Sequence, residues 1–79
     1  MQLSKAFGLA VVAERKLRKI TQAQLAEIAG LHPTVLSAVE TALRPPKFDT
    51  LERISDALEV PLSRLFKLAE ETRERHPEL

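Results

Sequence analysis

The sequence predicts an all-α fold, with five short helices packed as a single domain over residues 1–79. Three observations carry that expectation. Apolar residues return at helical spacing in one segment after another, Gly, Pro and capping residues divide those segments at short intervals, and a chain of 79 residues has room for one domain. Hydrophobic residues make up 44% of the chain, yet the aromatics are only Phe7, Phe48 and Phe66, so the core has to be built from Leu, Ile, Val and Ala. A core that small yields only a few kcal/mol of net stability, which makes association into a dimer a natural supplement.

The first helix runs from about Ser4 to Arg18. Phe7, Ala10, Val11 and Leu17 mark its apolar face, and neither Gly nor Pro interrupts the chain from Leu9 until Gly30. A second helix starts at Thr21, whose hydroxyl can accept from the third helical amide while Gln24 reaches back to complete a capping box. Leu25, Ala26, Ile28 and Ala29 give it an apolar face, and Gly30 supplies the left-handed residue that ends it. The third helix runs from Pro33 to Thr41. Pro33 suits the first helical position, where a missing amide proton costs nothing, and His32 stands before it as a cap. Leu36, Val39 and Val35 are expected to face inward. Two short helices joined by Gly30-Leu31-His32 have the spacing of a helix-turn-helix, at about residues 21–41, in which a tight turn sets the pair at a steep angle. Arg44-Pro45-Pro46-Lys47 then breaks the helical pattern. Leu51, Ile54, Leu58 and Val60 mark a fourth helix capped by Asp49 or Thr50. Pro61 and Ser63 open a fifth, which carries Leu62, Leu65, Phe66, Leu68 and Ala69 and gives way at Thr72 to a fraying tail, 72–79.

Catalytic chemistry finds no foothold. Cysteine is absent, His32 and His76 lie far apart, and neither a Gly-rich phosphate loop nor a two-histidine metal spacing occurs, so no enzyme activity, metal or cofactor is expected. Glu52, Asp56 and Glu59 fall at helical spacing on a solvated face. The longest apolar run, Leu9 to Ala13, is too short to span a bilayer, and with no cysteine the chain suits a cytoplasmic protein. Formal net charge is only +1, but it is unevenly placed. Lys5, Arg15, Lys16, Arg18 and Lys19 stand against Glu14 in the first twenty residues, whereas Asp49, Glu52, Asp56 and Glu59 stand against Arg53 further on. That polarity suits a protein with one face turned toward an anion.

Five segments, in order, resemble the Xre/Cro-like (lambda-repressor-like) helix-turn-helix family. They are Thr21-Gln22-Ala23-Gln24-Leu25-Ala26, Ala29-Gly30-Leu31, Leu36-Ser37-Ala38-Val39-Glu40, Asp49-Thr50-Leu51-Glu52-Arg53-Ile54, and the stretch from Leu58 to Phe66. The resemblance implies a transcriptional regulator in which the third helix enters the major groove of double-stranded DNA and the second lies across the phosphates, as a homodimer on a palindromic operator. It further implies that Gln22 clamps a phosphate or base, and that Pro33, Thr34, Ser37 and Ala38, with Thr41 at the end of the same helix, face the base edges. Arg44 and Lys47 match loop positions that touch phosphates, which makes them affinity residues more than specificity residues. Arg15 and Glu40 match a structural ion pair between the first and third helices.

The readers are unusual for such a family. Neither an Arg for guanine nor an Asn or Gln for adenine is among them, so Thr34 and Ala38 are expected to touch thymine methyl groups, Ser37 to bond to several bases, and DNA shape to contribute. Lys19 and Ala42 stand where glycines often end helices, while Glu14 replaces a commonly apolar residue and Val35 a frequent aromatic, a pair of changes expected to thin the core near the third helix. Pro45 takes a position where a polar residue often contacts backbone. Leu62, Leu65 and Leu68 offer an apolar surface for the dimer, unless the monomer core takes up Leu65 and Phe66. A rival reading is an antitoxin-type module whose arm, Lys67 to Leu79, occupies a toxin partner while the helix-turn-helix autoregulates the operon.

Overall fold

In the computed structural model, which describes residues 1–78, the helices are α1 (Leu3–Leu17), α2 (Gln22–Ala29), α3 (Pro33–Glu40), α4 (Phe48–Leu58) and α5 (Leu62–Arg75). Leu79, the last residue of the tail and of the arm considered above, lies outside the described residues. Local chemistry explains where α2 and α3 begin. Thr21 Oγ1 accepts from the Gln24 amide at 3.0 Å and Gln24 Oε1 accepts from the Thr21 amide at 2.8 Å, a complete capping box. Pro33 holds the first turn of α3, and His32 Nδ1 accepts from the Thr34 amide at 3.2 Å.

Four helices end by one device. A long backbone bond closes each turn, from the amides of Ile20, Leu31, Leu43 and Val60 to the carbonyls of Arg15, Ala26, Ala38 and Ser55. Inside each closure one residue is left-handed: Lys19 (φ 57°), Gly30 (φ 68°), Ala42 (φ 57°) and Glu59 (φ 58°). Only Gly30 has no Cβ to strain the turn. The other three hold a conformation that costs a side-chain-bearing residue about 1 kcal/mol or more.

The core lies where all five helices converge. Val11, Leu25, Leu36, Ile54, Leu58 and Leu65 are its largest fully buried side chains, and Phe7 meets Phe66 with ring centroids 5.0 Å apart. α1 packs mainly on α5 and α3, while α2 packs on α4 and α3. The α1–α3 approach depends on Gly8, where a Cβ would lie 2.6 Å from the Val39 carbonyl oxygen and 2.7 Å from that of Glu40.

Four expectations need correction. α4 begins at Phe48 after Lys47, with no side-chain cap, so Asp49 sits in the first turn and Thr50 is buried instead of capping. Leu17 and Ile28, counted on apolar faces, are 70% and 60% exposed, because α1 and α2 bury only their central stripes. α5 does not give way at Thr72. It continues to Arg75, since Thr72 Oγ1 donates to the Leu68 carbonyl and Arg73 donates both to the Met1 carbonyl at 3.2 Å and to Glu70 at 2.7 Å. Glu14, finally, does not thin the core but is buried in it as a charge. Its two carboxylate oxygens accept from Arg18 Nη1 at 2.6 Å and from Arg64 Nε at 2.9 Å, which ties α5 to α1. Burial pushes the Glu14 carboxyl up, but the two guanidinium groups outweigh it and hold the carboxyl below the ordinary glutamate range.

Candidate nucleic-acid interface

α3 turns one narrow stripe, Leu36 and Val39, into the core and leaves Pro33, Thr34, Val35 and Thr41 exposed and Ser37 half-buried. Ala38 departs from the outward position expected for it. Only 7% exposed, it sits recessed on the flank of α3 beside a groove lined by Leu31, Val35, Pro45 and Lys47. The cause is local: the Leu43 amide bonds to the Ala38 carbonyl as the next loop folds back, and a side chain of one carbon does not project past it. Val35 reverses in the other direction. Expected inside, it is 39% exposed, so the apolar group that α3 presents is a valine and not the alanine.

The hydroxyls on this surface are oriented from within. Thr41 Oγ1 donates to the Ser37 carbonyl at 2.8 Å, which leaves its oxygen to accept. Thr34 Oγ1 lies 2.8 Å from His32 Nδ1, and His32 thereby joins the cap of α3 to the first polar group on its outer face. Arg44 and Lys47 are exposed on the α3–α4 loop and make no ion pair among the described residues. Pro45, between them, is exposed as well.

Behind α3, one polar cluster joins three helices. Arg15 on α1 donates from Nε to Glu40 Oε2 at 2.9 Å and from Nη2 to Oε1 at 3.2 Å, a two-pronged pair that is mostly buried. Its third nitrogen donates to the Ile20 carbonyl at 3.1 Å, fixing the α1–α2 turn. Gln22, the first residue of α2, is half-buried and donates from Nε2 to Glu40 Oε1 at 2.8 Å. The spacing of Arg15 and Glu40 gives no sign of this third member, because it depends on how the turn at Gly30 sets α2 against α3. Glu40 is the only acid on α3, and this cluster engages it.

The supposed dimer surface changes too. Leu65 is fully buried in the core and cannot touch a second copy, whereas Leu62 and Leu68 are half-buried. Among the described residues, the most exposed large apolar side chains are Phe48 at 86% and Leu43 at 74%, which bracket the loop carrying Arg44 and Lys47. Beside Phe48 runs an apolar groove lined by Leu3, Phe7, Pro46, Leu51 and Phe66. Sequence reasoning did not single out these two exposed side chains because it looked for apolar surface among the residues of the last helix. No helix among the described residues is long and apolar enough to cross a membrane.

Comparison with known proteins agrees with this architecture. A family described as helix-turn-helix matches residues 11–65. An immunity repressor protein of Bacillus phage phi105 is 40% identical over 65 residues, which is 82% of this chain and 44% of that protein, so the chain spans under half of its relative's length. Among solved structures, the clp gene regulator ClgR from Corynebacterium glutamicum superposes with a TM-score of 0.92 at 22% identity, covering 98% of this chain and 82% of that one. The restriction-modification controller protein C.AhdI from Aeromonas hydrophila does so with a TM-score of 0.76 at 22% identity, covering 78% and 94%. At those identities the two structures speak for the fold.

Proposed function

Since the chain belongs to the helix-turn-helix family, of the Xre/Cro kind, whose members are DNA-binding regulators and not enzymes, we propose that it is a homodimeric repressor or autoregulator acting in the cytoplasm. In this reading it lays α3 into the major groove of a short palindromic operator. One observation carries it: α3 presents a ridge of small uncharged residues with its single acid tied back to Arg15, flanked by Arg44 and Lys47, two cations with no ion pair among the described residues. The phage relative is an immunity repressor, which favours repression over activation.

The contacts divide by chemistry. Gln22, Arg44 and Lys47 meet phosphates and set affinity, while Thr34, Ser37 and Thr41 meet polar base edges and Val35 takes the thymine-methyl contact that buried Ala38 cannot make. Pro33 shapes the start of the ridge. With no long bidentate reader on α3, DNA shape supplies part of the discrimination. A second copy docks through exposed apolar surface, for which Leu62 and Leu68 on α5 compete with Leu43 and Phe48 beside the loop.

Selecting bound duplexes from a random pool tests the proposal. An inverted repeat should be enriched, and affinity for it should fall steeply with salt, with a log–log slope of about −0.9 per phosphate neutralised. Enrichment of nothing, or binding indifferent to salt, would defeat it.

A further inference from the structure

We infer that Glu40 is a positioning residue for DNA binding: held by Arg15, its carboxylate fixes the amide of Gln22 so that the duplex meets that amide already oriented. The inference rests on the DNA-binding function proposed above and names a device within it. Glu40 Oε1 receives two donors, Arg15 Nη2 at 3.2 Å and Gln22 Nε2 at 2.8 Å, while Oε2 receives Arg15 Nε at 2.9 Å. A carboxylate can only accept, so Gln22 has to turn its NH2 group toward Glu40, and chemistry settles the choice between amide oxygen and nitrogen. One N–H of Gln22 then remains for a phosphate oxygen, and its carbonyl points elsewhere. A glutamine at an open helix start loses much of its rotamer freedom on contact. Here the loss has been incurred on folding, which strengthens binding by the same amount.

Charge makes the arrangement workable. A bare carboxylate behind the contact would repel a phosphate, but Arg15 neutralises Glu40, and the guanidinium is itself held at the Ile20 carbonyl at 3.1 Å. Three helices thus meet at one neutral cluster, and the orientation of a side chain on α2 is set by the last residue of α3.

A double-mutant cycle on the duplex enriched from the random pool, with Gln22→Ala and Glu40→Gln, tests this. Each single change should weaken binding about tenfold, the loss typical of one hydrogen bond to a charged oxygen, and the double variant should bind no worse than Gln22→Ala. In the free protein, the side-chain NH2 resonances of Gln22 should be dispersed and ordered in the wild type and mobile in Glu40→Gln, a readout that a loss of stability with the fold intact does not imitate. If Glu40→Gln does not fold, Glu40→Asp takes its place, since it keeps the charge beside Arg15 and withdraws the oxygen from Gln22. Additive losses in the cycle, or a Gln22 amide as mobile as that of exposed Gln2, would overturn the inference while leaving the DNA-binding proposal intact. Failure of the wild type to bind any duplex would overturn both.

Discussion

Replacing Gly8 by Ala sets local and tertiary physics against each other. Helix propensity alone says that the change stabilises α1 by about 1 kcal/mol. Packing says the reverse, because the new Cβ would stand 2.6 Å from the Val39 carbonyl oxygen and 2.7 Å from the Glu40 carbonyl oxygen. Both are backbone atoms in the last turn of α3 and cannot swing aside. Ordinary contact requires α1 and α3 to part by more than half an ångström, and overpacking of that kind costs about 1–3 kcal/mol. Parting also draws Arg15 from Glu40, whose hydrogen bonds of 2.9 and 3.2 Å have little slack. The packing penalty together with this weakened pair exceeds the propensity gain by about 1–2 kcal/mol, which lowers Tm by about 5–10 °C in a domain of this size. Thermal unfolding followed by circular dichroism reads the sign directly. An unchanged or higher Tm would show that α1 and α3 do not approach as closely as described.

Other substitutions probe the turns, the buried charge and the dimer face. Lys19→Gly and Glu59→Gly remove left-handed strain at exposed positions and should each stabilise by about 0.5–1 kcal/mol in urea titrations; loss of stability in both would mean that α1 and α4 end differently. Removing Arg18 and Arg64 together strands the Glu14 charge and should cost about 3 kcal/mol at pH 7, whereas Glu14→Leu should cost less than about 1 kcal/mol. Because the folded Glu14 carboxyl is held low, its stabilising contribution is complete at neutral pH and is lost progressively as pH falls below the ordinary glutamate value of about 4.3 and on through the lower folded one. The stability gap between wild type and Glu14→Gln should therefore close on acidification, and a gap constant down to pH 3 would contradict that assignment. In analytical ultracentrifugation, Phe48→Glu should yield monomer if the loop face carries the dimer, and Leu68→Glu if α5 does; a dimer that survives both changes excludes both faces.

Much of the fold was legible because its boundaries are written in local chemistry. Thr21 with Gln24, Gly30 and Pro33 each act through a backbone bond or dihedral within a few residues, and the helices begin and end there. The start of α4 escaped because Lys47 opens it with no side-chain cap to announce it. Burial on short helices was harder to foresee. On α3 a single turn separates Val35 from Ala38, and which of the two is covered depends on how the Arg44–Lys47 loop folds back, information that lies outside the helix. Periodicity leaves Leu65 open between core and dimer surface, because it marks an apolar stripe without saying whether the same chain or a second copy covers it. Gly8 did leave a signal. A glycine inside a helical pattern usually marks a close approach, and here the neighbour is the end of α3.

The claim on which the functional account turns is that the outer face of α3 meets the duplex. A titration of isotope-labelled protein with the enriched duplex, followed by amide NMR shifts, tests it most directly. The largest changes should fall at Gln22, Thr34, Val35, Ser37, Thr41, Arg44 and Lys47, and should weaken together as salt rises. Shifts centred on α5 and the outer face of α1, with those seven amides unmoved, would contradict it.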